Sequence, residues 1–171
     1  LLKLTSAYCS FVNGGRLINP VIIDRIQDSE GKTIFNSEKR ICKKCDKISF
    51  LGKEIPKITN NFPQIFSSQT AYQMTSLLEG VVKRGTAKRL KDLNLDLAGK
   101  TGTTNNNTDT WFVGFTSNLV VGVYIGHDEP KSLGKYETGS KTALPIFKWF
   151  MKKAVNKAHA RPFKVATNIK M

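Results

Sequence analysis

The stretch Leu97-Ala98-Gly99-Lys100-Thr101-Gly102-Thr103-Thr104 joins a single cation to small and hydroxyl-bearing residues, and Asp109-Thr110-Trp111-Phe112-Val113-Gly114-Phe115 follows it after a short polar loop. Gly99-Lys100-Thr101 suggests a phosphate-binding loop. That reading needs a glycine five positions before Gly99, where Asn94 stands, and a glycine-rich approach, where Leu93-Asn94-Leu95-Asp96-Leu97 stands instead. The phosphate loop is therefore rejected. As a strand at a sheet edge, the same residues suit an acyl-transfer site. Lys100 offers a fixed cation for proton traffic. Thr101 and Thr103, two apart, share one strand face, so both hydroxyls can meet a substrate carboxylate. Gly102 lets a substrate peptide lie close to the backbone. The Thr103 N–H can serve as one donor of an oxyanion hole.

Downstream, Leu119 to Gly126 is nearly continuous in strand-forming apolar residues, and Ser117-Asn118 is a two-residue connection. Three segments, 95–103, 110–116 and 119–126, thus read as an antiparallel meander covered on both faces. A helix precedes it, starting at Ser67-Ser68, lined by Ala71, Met74, Leu78 and Val81, and ending near Gly85. Another closes it, with Pro145 in its first turn and Ile146, Phe147, Phe150, Met151, Ala154 and Val155 as the apolar stripe. Lys148, Lys152, Lys153 and Lys157 take the other face, read as solvated rather than membrane-bound.

Further upstream, Leu1, Leu4, Tyr8, Phe11 and Val12 recur at helical spacing, with Asn13-Gly14-Gly15 as the stop. Residues 21–26 and 33–35 read as a hairpin across Asp28-Ser29-Glu30-Gly31. Residues 36–66 are lysine-rich and aperiodic, an irregular excursion. The result is an α+β fold, antiparallel strands flanked by helices.

With 171 residues, of which 40% are hydrophobic, the chain has enough apolar matter for one core. No run reaches the roughly 20 apolar residues of a membrane span. The chain opens inside a helix, at Leu1-Leu2-Lys3-Leu4, with no initiator Met and no cap; it reads as a piece of a longer polypeptide. Net charge is +14, from 27 basic and 13 acidic residues, which fits anionic surroundings of several kinds. The lysines lack the aromatic interleaving of a base-stacking surface, so nucleic acid is not the expected partner. Cys9 reads as a small buried apolar residue. Cys42-Lys43-Lys44-Cys45 reads as a disulfide across a flexible basic loop, with a solvent-exposed dithiol as the alternative; zinc would need a second ligand pair. His127-Asp128-Glu129 reads as the start of a loop, and His159 as surface. Lys141 and Thr138-Gly139-Ser140 rim the cleft or form a solvated loop. No metal and no cofactor is expected.

Gly99-Lys100-Thr101-Gly102-Thr103-Thr104 with Asp109-Thr110-Trp111-Phe112-Val113-Gly114-Phe115 resembles the third and fourth sheet strands of bifunctional, class A penicillin-binding proteins. Val81-Val82-Lys83-Arg84-Gly85-Thr86-Ala87 and Gly126-His127-Asp128 are similar to that family too. So are Ser6-Ala7-Tyr8, Phe11-Val12-Asn13-Gly14-Gly15 and Ala143-Leu144-Pro145-Ile146. The likeness covers most of residues 1–157 and weakens in 36–66. It implies the C-terminal part of a transpeptidase domain over 1–157, with the hairpin and loop excursion at 16–66, and a basic tail at 158–171. It also implies peptidoglycan stem peptides and β-lactams as ligands, at the periplasmic face of the cytoplasmic membrane, with the anchor elsewhere. Lys100 and Thr103 are the expected catalytic residues; Thr101, Gly102, Thr103, Thr104 and Trp111 are the expected substrate contacts.

The family carries its nucleophile in S-x-x-K, followed by S-x-N, both before K-T-G. Ser29-Glu30-Gly31-Lys32 matches the first pattern in letters but lies in the hairpin turn; Ser117-Asn118 has the wrong spacing and position. The expectation is that this chain alone is inactive and that an upstream half supplies the serine. The rival reading is a non-catalytic interaction piece, or a split-gene half that pairs with its upstream part.

Overall fold

The computed structural model describes residues 1–37, 41–43, 57–59, 62–156 and 160–169. They belong to two compact units, residues 1–18 with 64–171 and residues 19–63.

The first unit is built on the expected meander. Strands β5 (Ala98–Thr103), β6 (Asp109–Phe115) and β7 (Val120–Gly126) pair antiparallel in that order. Thr103 lies opposite Thr110, Gly102 opposite Trp111, and Trp111 opposite Tyr124. Opposed residues share a face of the sheet. One face therefore carries Ala98, Lys100, Gly102, Trp111, Phe115 and Tyr124. The other carries Gly99, Thr101, Thr103, Thr110, Phe112 and Gly114.

Each face is covered, as the unbroken apolarity of the strands requires. Helix α1 (Leu2–Val12) packs Tyr8, Phe11 and Val12 around Ala98 and Phe115. Helix α3 (Ala143–Ala154) sets Phe147 edge-on against Phe112 on the other face, ring centroids 4.7 Å apart. Both rings are fully buried, worth about 1.5–3 kcal/mol each from apolar burial. Helix α2 (Ser68–Lys83) contributes Leu78 to the first core and Val82 to the second, and leads into a 3₁₀ helix, Lys88–Leu93, whose Leu90 and Leu93 are buried. The Ser67 hydroxyl accepts the Thr70 N–H at 3.1 Å and caps α2, as expected from the sequence.

Several expectations are corrected in detail. The buried face of α2 runs through Ala71, Thr75, Leu78 and Val82, whereas Met74 and Val81 are only half-buried. In α3, Ala143, Leu144, Phe147 and Met151 are buried, while Ile146 and Phe150 are exposed; the stripe is rotated toward the N-terminal turn. Lys148 on the same helix is not a free surface lysine, since its Nζ binds Asp92 Oδ2 at 2.6 Å and ties α3 to the 3₁₀ helix. In α1 the first part of the stripe, Leu1 and Leu4, stays exposed. Cys9 is half-buried, and burial pushes its thiol pKa up. In the 158–171 segment, residues 160–169 return to this unit. Phe163 stands edge-on to Phe115 at 5.7 Å, and Gln69 Nε2 donates to the Thr167 carbonyl at 3.2 Å. His159 lies outside the described residues.

The second unit holds two short ladders. Strands β1 (Arg25–Gln27) and β2 (Thr33–Asn36) form the expected hairpin, with Ser29 to Lys32 in its turn. The Asp28 carboxylate accepts the N–H groups of Glu30 and Lys32 and fixes that turn. The first strand is shorter than expected; Val21, Ile22 and Ile23 are exposed and outside it. The excursion also contains order that its composition hides. Strand β3 (Ile41–Lys43) pairs antiparallel with β4 (Lys57–Thr59), placing Cys42 opposite Ile58. Cys42 thus lies in a strand rather than in a loop. Cys45 and any bond between the two cysteines fall outside the described residues.

Among the described residues, no helix is long and apolar enough to cross a membrane.

Candidate functional site

Strand β5 pairs on one side only, with β6, among the described residues. The turn after it sets which backbone groups face outward. The Thr104 N–H donates to the Asp109 carbonyl at 3.0 Å, closing the ladder. Bonded and non-bonded pairs alternate along an antiparallel ladder, so the N–H and C=O groups of Thr103 and Thr101 point out of the free edge. A row of outward amides and carbonyls at an edge is a template for an extended peptide.

Four expected residues cluster at this edge. Lys100 is exposed, and its Nζ folds back onto the Thr101 carbonyl at 2.9 Å. The Thr101 hydroxyl shares a 3.0 Å hydrogen bond with the Thr86 hydroxyl, from the turn after α2. The exposed Thr103 accepts the Gly139 N–H on its Oγ1 at 3.1 Å. Gly102 leaves the backbone open between them, and a Cβ there would stand 3.2 Å from Trp111 Cβ. Both threonine hydroxyls lie on one face, with the Lys100 side chain rooted on the other; the two sets meet only at the edge.

Two further expected residues are placed differently. The Thr104 hydroxyl is committed to the turn. It accepts the Asp109 N–H at 2.8 Å and bonds the Thr108 hydroxyl at 2.8 Å and Asp109 Oδ2 at 3.2 Å. What Thr104 offers a ligand is main chain. Trp111 sits one strand in from the edge, half-buried, with its ring 4.6 Å from that of Tyr124. Tyr124 donates its hydroxyl to Asp109 Oδ1 at 2.6 Å. That bond, with those from Thr108 and Thr104, holds the Asp109 carboxyl below its ordinary value, and Asp109 pushes the Tyr124 phenol up.

Sequence reasoning misses the neighbours that orient the site. Gly139, expected at the rim or in a solvated loop, is buried against the strand. The Thr142 hydroxyl shares a 2.7 Å bond with the Thr110 hydroxyl and donates to the Thr138 carbonyl at 2.9 Å, locking this loop to the sheet. Thr86 and Gly139 each stand in a family-like or rim segment, but nothing in the linear order pairs them with Thr101 and Thr103. A second letter match to S-x-x-K occurs at Ser132-Leu133-Gly134-Lys135. It lies in the irregular segment between β7 and α3, where Ser132 Oγ accepts the Gly134 N–H at 3.2 Å, and it opens no helix. His127-Asp128-Glu129 begins the same exposed segment.

Comparison with known proteins adds relatives over nearly the whole chain. It is 42% identical to penicillin-binding protein 1A of Rickettsia bellii over its full length, and 37% identical over 90% of its length to that of Neisseria lactamica. It spans 22% and 17% of those two proteins. The crystal structure of penicillin-binding protein 1A from Haemophilus influenzae matches 96% of this chain and 27% of that one, at TM-score 0.78 and 33% identity. The D,D-transpeptidase domain of a peptidoglycan glycosyltransferase from Eggerthella lenta matches 88% of this chain and 31% of that one, at TM-score 0.60 and 25% identity. The family model of the penicillin-binding protein transpeptidase domain matches residues 1–152, and the chain belongs to that family.

Proposed function

We propose that this chain supplies one wall of the acyl-transfer cleft of a peptidoglycan D,D-transpeptidase. The observation that carries the reading is the free edge of β5, where Lys100, Thr101, Gly102 and Thr103 present a cation, two oriented hydroxyls and outward amides. A stem peptide ending in D-Ala-D-Ala lies along this edge as an added strand. Thr101 and Thr103 hold its terminal carboxylate. The Thr103 N–H donates to the carbonyl oxygen as it becomes an oxyanion. Lys100 serves the proton traffic around the nucleophile. Gly102 admits the close approach, Trp111 supports the strand beneath it, and Thr104 contributes backbone.

The nucleophile is a serine outside this sequence. Its Oγ attacks the penultimate carbonyl carbon, the peptide C–N bond breaks, and the terminal D-Ala leaves with a proton. The amine of a neighbouring strand then takes the acyl group and frees the serine, so one difficult step becomes two. β-Lactams, as donor mimics, acylate the same serine. No metal or cofactor enters these steps. Residues 1–157 form part of the transpeptidase domain in this reading, with 158–171 as its basic tail. The enzyme works on the outer face of the cytoplasmic membrane, held by a helix outside this chain. The exposed Leu1, Leu2 and Leu4, together with the outer edge of β7 at the far side of the sheet from β5, favour completion of the fold by the upstream half of the same transpeptidase.

Labelling with a fluorescent penicillin, followed by intact-mass analysis, tests this reading. The chain alone takes up no label, and when the upstream half is added the label appears on that half. A stoichiometric, hydrolysable adduct on this chain alone would contradict it, and Ser29 would then be the first residue to replace.

A further inference from the structure

The two hydroxyls on β5 are gripped differently. Thr101 faces another hydroxyl, Thr86, so either group can donate. Thr103 faces a backbone N–H, that of Gly139, which only donates. Thr103 must therefore act as acceptor toward Gly139. Its single proton is left for another acceptor, and none is found among the described residues.

We propose that Gly139 is a positioning residue for acyl transfer. Its N–H fills one acceptor position of Thr103 Oγ1 and holds the Thr103 proton as a dedicated donor to the carboxylate of the acyl donor. The inference rests on the reading of β5 as the cleft wall.

Two features make the arrangement specific. A Cβ at position 139 would stand 2.4 Å from the Trp111 carbonyl oxygen and 2.6 Å from that of Gly102. Any side chain there lifts the loop from the strand and withdraws the N–H. The loop is also held from behind. Thr142 bonds Thr110 and Thr138, and the Leu144 N–H, in the first turn of α3, donates to the Gly139 carbonyl at 2.9 Å. Leu144 and Phe147 are buried, so the core under α3 fixes the height of the Gly139 amide above β5. A packed helix thereby sets the direction of one proton at the substrate edge.

The test uses the full-length transpeptidase that carries this segment and two matched thioester acyl donors. One ends in a free carboxylate, the other in an amide at the same position. The readout is the ratio of their acylation efficiencies, which a general loss of folded enzyme does not move. Gly139→Ala lowers the ratio by about tenfold, as expected for a weakened hydrogen bond to a charged group. Thr103→Val lowers it at least as far, Thr103→Ser keeps it, and the double variant falls no further than Thr103→Val, because both act through one hydroxyl. If Gly139→Ala does not fold, Thr142→Val loosens the loop without crowding it and moves the ratio in the same direction. An unchanged ratio in the loop variants, or losses that add to that of Thr103→Val, overturns the proposal. A wild-type enzyme that accepts neither donor instead sinks the cleft reading on which it rests.

Discussion

Asp109 stands where β6 begins and gathers three hydroxyls. Tyr124 donates to one carboxylate oxygen, while Thr104 and Thr108 serve the other. These bonds favour the ionised carboxylate and hold its pKa below the ordinary 3.8. A lowered folded-state pKa contributes stability that is present above the ordinary value and lost as pH falls through the lowered one. The Tyr124 phenol is raised above its ordinary 10.0 by the same bond, so its contribution is present below that value and lost as pH rises through the raised one. Asp109→Asn therefore lowers the melting temperature at neutral pH. The gap from wild type narrows as pH falls below the ordinary 3.8 and through the lowered value. Thermal melts across that range check it; a gap that stays constant with pH would show that the charge of Asp109 is not what matters. In the sequence this residue is legible only as the position before the 110–116 segment, within the family-like stretch. Its partners lie one, five and fifteen positions away, the last on the neighbouring strand β7, and no periodicity marks such a cluster.

At the scale of elements, local rules set most of the boundaries. Ser67 is readable as a cap because an Ncap hydroxyl serves an orphan amide of the first turn. Ser67→Ala is expected to cost about 1 kcal/mol, measured as a lowered urea midpoint with unchanged slope. A change below a few tenths of that would mean the cap bond contributes nothing. The meander is equally legible, since β6 and β7 are strand formers joined by Ser117-Asn118. The misses have physical causes. A stripe assigned by spacing fixes a helix face only to within one residue or so: α2 buries Thr75 and Val82 beside the half-buried Met74 and Val81, and α3 buries Ala143 and Leu144 while Ile146 stays exposed. The β3–β4 ladder is hidden because each strand is three residues long and sits among lysines, too short to show alternation.

Across the whole molecule, the K-T-G-T strand is readable from the linear chain because its residues are contiguous. The residues that aim it are not, because Thr86 and Gly139 come from segments 15 and 36 positions away. The fold's contribution is that convergence: α2 delivers Thr86, α3 delivers Gly139, and both bonds fall on one face of an edge strand. The free edge is the surface on which a donor peptide or a β-lactam must lie if β5 is the cleft wall. The crystal structure of the penicillin acyl-enzyme, made from the full-length transpeptidase, tests that claim most directly. The predicted result is a ligand carboxylate within hydrogen-bond distance of the Thr101 and Thr103 hydroxyls, with the acyl carbonyl oxygen on the Thr103 N–H. An adduct whose carboxylate and carbonyl both lie away from β5 would contradict it.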